Sequence, residues 1–532
     1  MRGNIKLLDC TLRDGGYVND WKFGNSTLTY IFDRLNNANV DIVEIGFLDE
    51  RRDVDFNRTI QPSTQSLNEV YSKSTDKSAQ IFAMIDYGTC GIDRIQDKDE
   101  TILDGIRVIF KKENMHNAIN FGKKIMEKGY KLCLQMVSVT SYNDEDVIEF
   151  SNHVNSINPF AVGIVDTYGL MHKEQVFHYF EMLDNHLNRS IAIGYHSHNN
   201  FQLAYSNSIE VLKIPSERTV ILDGTLYGMG KSAGNAPIEL LSMHLNEFYG
   251  KNYDINQLLE AIDVGIMPIF EQHRWGYSLQ FYIAAKNDCH PNYVKYLLDK
   301  KTLAVKDVDN ILGMINEESK LKYDAEYIES LYLKYVLDSI DNPEYVESLE
   351  VCLKGRSLVI LGPGKSIVTD RDVIKEHVGD KGPIVIAVNF VPEDFVADFI
   401  FVSNSKRYIR MLTSLKTCSS KIIATSNVSS VDRPFDFVVR FDNLISESDE
   451  IWDNALVILL NLLRKVGVGS ISLAGFDGFT DDLEKNYIDK SFDLSKQYPY
   501  LSVVNERLTE KIKEYRNSMD IRFLTKSLYD KG

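Results

Sequence analysis

The chain of 532 residues exceeds the size at which one hydrophobic core keeps growing, and its 44% hydrophobic share is that of a folded protein, so two or more domains are expected and disorder is excluded. Lys and Arg number 59 against 76 Asp and Glu, a net charge of -17, which disfavours nucleic acid and anionic membranes as general partners but leaves room for a local phosphate pocket. The six cysteines lack CxxC spacing, no apolar signal region opens the chain, and the longest apolar run, ALVILLNLL, is too short to span a bilayer, so a reduced, soluble, cytoplasmic protein is expected.

From Ile5 to Thr225, eight short apolar runs alternate with longer amphipathic stretches: IKLLDC, IVEIGF, QIFAMID, GIRVIF, KLCLQMV, AVGIVDT, IAIGYHSH and TVILDGT. Eight strand-helix units in one domain fit a closed parallel (β/α)8 barrel over residues 1–250, with an open doubly wound sheet as the alternative. Residues 251–348 read as a helical extension, expected to pack over the barrel mouth or to form the contact of a homo-oligomer. From residue 349 to 532 strand alternation returns in SLVILGPGKSI, IVIAVNF, FIFVSN, KIIATSN, FVVRF and SISLAGFDGF. This is the pattern of a second, Rossmann-like α/β domain.

In such a barrel the polar residues at strand C-termini gather on one face. Here they are Arg13, Asp14, Glu44, Asp86, Asp166, His196, His198 and Asp223. His196 and His198 lie two apart and point to one side of their strand, as two ligands of a divalent metal would. The bland alternative is one buried histidine and one solvated. Asp14 supplies an anionic ligand, a set that suits Mn²⁺ or Mg²⁺ with Zn²⁺ as a lesser option, and Arg13 offers a fixed cation for a developing enolate. Taken alone, Arg13-Asp14 reads first as a surface ion pair before a Gly turn. In YGMGKSAGNAP, Gly228, Gly230 and Gly234 permit close backbone approach and Asn235 can offer an amide oxygen to the metal, or the segment is a Gly-rich cap on the next helix. Glu44 is a candidate partner for Arg13 or for a water held by the metal.

DCTLRDGG, GYHSHNN and GMGKSAGNAP, in that order, resemble the DRE-TIM metallolyase superfamily, the HMG-CoA lyase-like proteins, and most closely its 4-hydroxy-2-oxovalerate aldolase branch, over roughly the first half of the chain. The resemblance implies a metal-dependent aldolase acting on a 2-oxo acid and an aldehyde. Asp14, His196 and His198 would bind the metal with Asn235 beside them, Arg13 would stabilise a pyruvate enolate, and Glu44 would match an acidic residue of the second strand. The aldolases carry a histidine base where Tyr17 stands here, so Tyr17 or a metal-bound water held by Glu44 is the expected base; Tyr277 looks like the match for a helper tyrosine, with a core aromatic as the equal alternative. The Gly-rich loop lacks the cysteine of the coenzyme-A lyases, and Claisen-type acyl-CoA synthases or an inactive scaffold remain the alternative readings. A sheet domain is appended here, so the aldehyde dehydrogenase partner of the aldolases is not carried over.

In the second domain LVILGPGKSI places Gly362, Gly364, Lys365 and Ser366 between a strand and a helix, which suits a nucleotide phosphate. It is neither a Walker A nor a complete GxGxxG sequence, and a plain turn is the competing reading. IVIAVNF and ISLAGFDGF faintly resemble the nucleotide-sugar-binding sheet of sialyltransferase-like proteins. That resemblance implies a nucleotide or nucleotide-sugar ligand and a place in surface-polysaccharide biosynthesis.

Overall fold

A computed structural model describes the chain except for residues 1–3, 73–77, 301, 321–322, 338–342, 380–381, 431–432, 447, 449, 481, 483–484, 490–491, 493–500 and 531–532. It comprises two compact units, Met1–Pro291 and Asn292–Gly532. The helical stretch after the barrel is therefore shared: helices up to Lys286 lie in the first unit and those from Val305 onward in the second.

Among the described residues the first unit holds nine strands: β1 (Ile5–Asp9), β2 (Ile42–Leu48), β3 (Ile60–Gln61), β4 (Gln80–Asp86), β5 (Gly105–Phe110), β6 (Lys131–Met136), β7 (Ala161–Asp166), β8 (Ala192–Ser197) and β9 (Val220–Gly224). All pairings are parallel, and β1 pairs with both β9 and β2, so eight strands close a barrel while the two-residue β3 hangs on the end of β2. The eight expected apolar runs are these eight barrel strands, and the open sheet is excluded.

Side chains two apart on a strand share a face. One inward layer is apolar: Leu8, Ile42, Phe82, Cys133, Ala161, Ala192 and Ile221 are buried together. Two residues further along β2, β6 and β9 stand Glu44, Gln135 and Asp223, with Arg107 in β5 and His196 in β8; all five are at most 3% exposed. The barrel thus has an apolar floor and a polar upper layer. The larger core lies outside the strands, where Leu28, Ile31, Phe32 and Leu35 of helix Asn25–Asn37 and their counterparts on later helices bury against Ile45, Val108, Leu134 and Ile193.

The second unit is a seven-stranded parallel sheet: β10 (Ser357–Leu361), β11 (Ile384–Val388), β12 (Phe399–Val402), β13 (Lys421–Thr425), β14 (Phe437–Val439), β15 (Ser470–Ala474) and β16 (Asp520–Phe523). The order is β14-β13-β12-β11-β10-β15-β16, so the chain moves outward from β10 to β14 and then returns to β10's other side. Leu358 and Ile360 join one core and Val359 and Leu361 another, one on each face, as a sheet covered on both sides requires. ALVILLNLL is the helix Ala455–Val466, with Leu456 through Leu463 all buried. No helix among the described residues is long and apolar enough to cross a membrane. All six cysteines are free thiols, four of them buried.

Candidate active site

β1 runs into a single helical turn, Thr11–Asp14, that turns two charged side chains inward. Cys10 O accepts from the amides of Arg13 and Asp14 at 3.1 and 2.7 Å, and the Trp21 indole donates to Arg13 O at 2.7 Å. A Cβ on Gly16 would fall 2.0 Å from the Trp21 ring, so only glycine lets the indole lie there. The turn is held from both sides before any ligand arrives.

Arg13 donates through Nη1 to Asp14 Oδ1 at 2.6 Å and through Nε to Glu44 Oε2 at 2.7 Å. Arg107 donates to the same Glu44 oxygen at 3.1 Å and, through Nη2, to Asp223 Oδ2. His196 Nδ1 lies 3.0 Å from that Asp223 oxygen. The charges therefore alternate along Asp14, Arg13, Glu44, Arg107 and Asp223, all at most 4% exposed. Burial pushes the Asp14 carboxyl up, but the Arg13 guanidinium and the two histidines prevail and hold it well below the usual range. Asp223 is likewise held down against its burial by Arg107. The alternative of a solvated Arg13-Asp14 surface pair is ruled out.

Ligand atoms of Asp14, His196 and His198 all lie within 4.8 Å of one another. Because His196 Nδ1 faces Asp223, its Nε2 is turned to the site, the arrangement by which carboxylates orient metal-binding imidazoles. Burial pushes the His198 imidazole down to about 4, which keeps it neutral and able to donate a lone pair. Asn235 donates from Nδ2 to Asp14 Oδ2 at 2.5 Å, and its loop is tied to the end of β8 by a bridge between His198 and Asn235. A Cβ on Gly230 would lie 2.2 Å from Asn235 Nδ2 and 2.7 Å from Asp14 Oδ2, so the backbone there passes against the cluster. Asn235 Oδ1, His198 Nδ1, Glu44 Oε1 and Asp223 Oδ1 are buried with no hydrogen-bond partner. Buried polar atoms are nearly always satisfied, so four such atoms in one cluster fit a cationic ligand. A second trio, Cys10, His196 and Asp223, also comes within reach of one point, but burial raises the Cys10 thiol well above its usual range and Arg107 already occupies Asp223.

Tyr17 stands at the mouth, 41% exposed, its ring 4.7 Å from that of Trp21 and 5.7 Å from the Lys231 ammonium. Loss of hydration pushes its phenol up to about 12, so it is protonated at neutral pH. Tyr277 is 61% exposed, and no hydrogen bond among the described residues joins it to the cluster. Two residues were not assigned a role from sequence. Arg107 and Asp223 carry the ion-pair chain to His196; an arginine inside GIRVIF, a strand too apolar to face water, is the signal that an acidic partner waits across the barrel.

In the second unit, Gly364 faces a cavity while Ser366 begins a four-residue helix. Asp477 accepts from both the Ser366 amide, at 2.9 Å, and its hydroxyl. Cβ atoms on Gly362 and Gly364 would lie 2.6 and 2.5 Å from Gly475 O, so the two loops touch. Lys365 is exposed.

The HMGL-like family model matches residues 4–264, so the resemblance read from the three motifs holds across the barrel. The 4-hydroxy-2-oxovalerate aldolase of Thermomicrobium roseum is 28% identical over 273 residues, 50% of this chain and 73% of the relative. The oxaloacetate decarboxylase of Mycobacterium tuberculosis is 25% identical over 237 residues, 44% of this chain and 68% of the relative. Among solved structures, the HMG-CoA lyase of Bacillus subtilis is similar at 17% identity and a TM-score of 0.39, covering 51% of this chain and 93% of its own.

Proposed function

We propose that the barrel is a divalent-metal-dependent carbon-carbon lyase that works through a pyruvate-type enolate, with a 4-hydroxy-2-oxo acid as the compound formed or cleaved. The observation that carries it is the meeting of Asp14, His196 and His198 within 4.8 Å, beside a buried guanidinium. The names of the two relatives support it through general chemistry. Retro-aldol cleavage of a 4-hydroxy-2-oxo acid and decarboxylation of oxaloacetate both release the enolate of pyruvate.

Asp14, His196 and His198, with the Asn235 amide oxygen, are the residues that would hold Mn²⁺ or Mg²⁺. A divalent cation there supplies Lewis acidity to the keto oxygen of a 2-oxo acid. Charge balance favours this: three carboxylates against two guanidiniums leave one buried negative charge, which a dication and the substrate carboxylate together neutralise. Arg13 has spent Nε on Glu44 and Nη1 on Asp14, leaving Nη2 to face an enolate oxygen. Glu44 fixes the guanidinium plane, and Asp223 fixes His196. Tyr17, protonated at neutral pH, serves better as the acid that gives its Oη proton to the new alkoxide in synthesis than as a base in cleavage. The reading that the acceptor is sugar-derived and feeds a surface polysaccharide rests on the resemblance of the second domain alone.

Deuterium exchange into the pyruvate methyl group, followed by NMR in D₂O, tests the donor half of the reaction without knowledge of the aldehyde. Exchange is expected with Mn²⁺ or Mg²⁺, and it should vanish with a chelator and in His196→Ala. A wild-type protein that exchanges nothing with any of these metals would overturn the pyruvate reading and favour an acyl-CoA synthase or an inactive scaffold. Tyr17→Phe is expected to retain donor exchange while slowing aldol formation about 100-fold or more; an unchanged aldol rate removes Tyr17 from the chemistry.

A further inference from the structure

An unexplained feature of the second unit does not depend on the barrel's chemistry. The strand order there reverses at β10, between β11 and β15. In open parallel sheets a crevice forms at that place, outside the strand C-termini, because neighbouring crossovers leave on opposite faces. Here the crevice is an open cavity lined by the loops that leave four strands: Gly364 after β10, Asn389 after β11, Asn404 after β12 and Phe476 after β15.

Two long helices begin at the cavity, Ser405–Leu415 capped by Asn404 and Ala455–Val466 capped by Asn454. Asn404 accepts from the Arg407 amide and Asn454 from those of Leu456 and Val457, so what the two helix starts offer an anion is the positive end of their dipoles. Arg407, in the first turn of Ser405–Leu415 and 7% exposed, adds a full positive charge. Its guanidinium lies 5.1 Å from the Tyr487 ring centroid and 4.7 Å from that of Phe492, and Nη2 donates to Phe492 O, which fixes its plane. Phe476, Phe479 and Tyr529 also line the cavity, as does Asp453, the residue before the Asn454 cap. Asp477 also lines the cavity, but both of its oxygens are occupied by Ser366.

We infer that the second unit binds a nucleotide in this cavity, its phosphates against Arg407 and the two helix starts, its base against the aromatic side chains. A fixed guanidinium with two helix N-termini selects a phosphorylated ligand, because planar donors match phosphate oxygens. The aromatic side chains select a flat group in the same molecule, which excludes a simple sugar phosphate. Burial raises the Asp453 carboxyl to about 6, so it repels an anion less than a solvated carboxylate would. The Gly362–Ser366 turn then contributes the shape of the cavity floor and no phosphate contact, since Asp477 occupies the Ser366 donors.

Isothermal titration calorimetry of the full chain tests this, with nucleoside 5′-mono- and diphosphates of the four common bases, the free nucleosides, and inorganic pyrophosphate. At least one nucleotide is expected to bind about tenfold or more tighter than its nucleoside and than pyrophosphate. Ala455→Phe fills the cavity without removing a side-chain hydrogen bond and is expected to abolish binding. Arg407→Gln is expected to weaken it about tenfold or more. Circular dichroism checks that both variants fold; should Arg407→Gln fail to fold, Ala455→Phe decides alone. The inference is overturned if no nucleotide binds at 1 mM, if pyrophosphate or the nucleoside binds as tightly, or if binding survives in folded Ala455→Phe.

Discussion

Arg107 shows how a single residue can hold a site it does not line. It joins Glu44, which orients Arg13, to Asp223, which orients His196, and all five side chains are buried. Removing one partner of a buried ion pair leaves the others uncompensated, at a cost of about 3–5 kcal/mol. Arg107→Met is therefore expected to lower unfolding stability by about that amount in urea titration, with loss of metal affinity; a stability loss under about 1 kcal/mol would show the chain is not coupled in this way. Asp9 makes the opposite test. It accepts from the Thr11 amide at 2.9 Å and hydroxyl at 2.8 Å, yet burial raises it to about 7. A carboxyl raised in the folded state favours folding below its unfolded value near 3.8, and that contribution is lost as pH rises towards 7. Asp9→Asn cannot ionise, so its stability relative to the wild type is expected to improve steadily from pH 4 to pH 8. A difference that is flat across that range would mean Asp9 is ionised throughout.

At the scale of elements, the loop Leu226–Pro237 is the piece on which the site closes. Gly228 and Gly234 have φ of 63° and 86°, and a Cβ on Gly234 would lie 2.0 Å from Gly228 O, so the loop folds back on itself only with glycine there. Gly230→Ala would drive a methyl group into the Asn235–Asp14 contact. The expected result is a metal affinity reduced about tenfold or more; an unaltered affinity would place the metal elsewhere. The loop and the strand motifs were legible in the sequence because their residues are neighbours along the chain: Arg13 with Asp14, His196 with His198, the glycines with Asn235. Arg107 was not, because its partners Glu44 and Asp223 lie 63 and 116 residues away and meet it only once the barrel closes. The barrel strands stood out as continuous apolar runs, being buried on both faces. β3 has two residues and no pattern, and β16, DIRF, is a sheet edge with Asp520 and Arg522 exposed, so neither announced itself.

At the scale of the whole molecule, the proposed metal and the inferred nucleotide address different cores. The metal cluster hangs on strands of the first unit, and the cavity on the second, which buries its own apolar faces around β10 and β11. A ligand stabilises only the cooperative unit whose folded form holds it, by about 2.7 kcal/mol at a concentration 100 times its dissociation constant. Scanning calorimetry of the full chain is therefore expected to show a component that rises by several degrees with Mn²⁺ and falls back with a chelator. In His196→Ala that metal-dependent rise should disappear, while any rise caused by nucleotide remains. Ala455→Phe should give the converse. A metal-induced rise that survives in His196→Ala would mean that Mn²⁺ stabilises the chain from a site other than the barrel mouth, and the ligand set of Asp14, His196 and His198 would have to be abandoned.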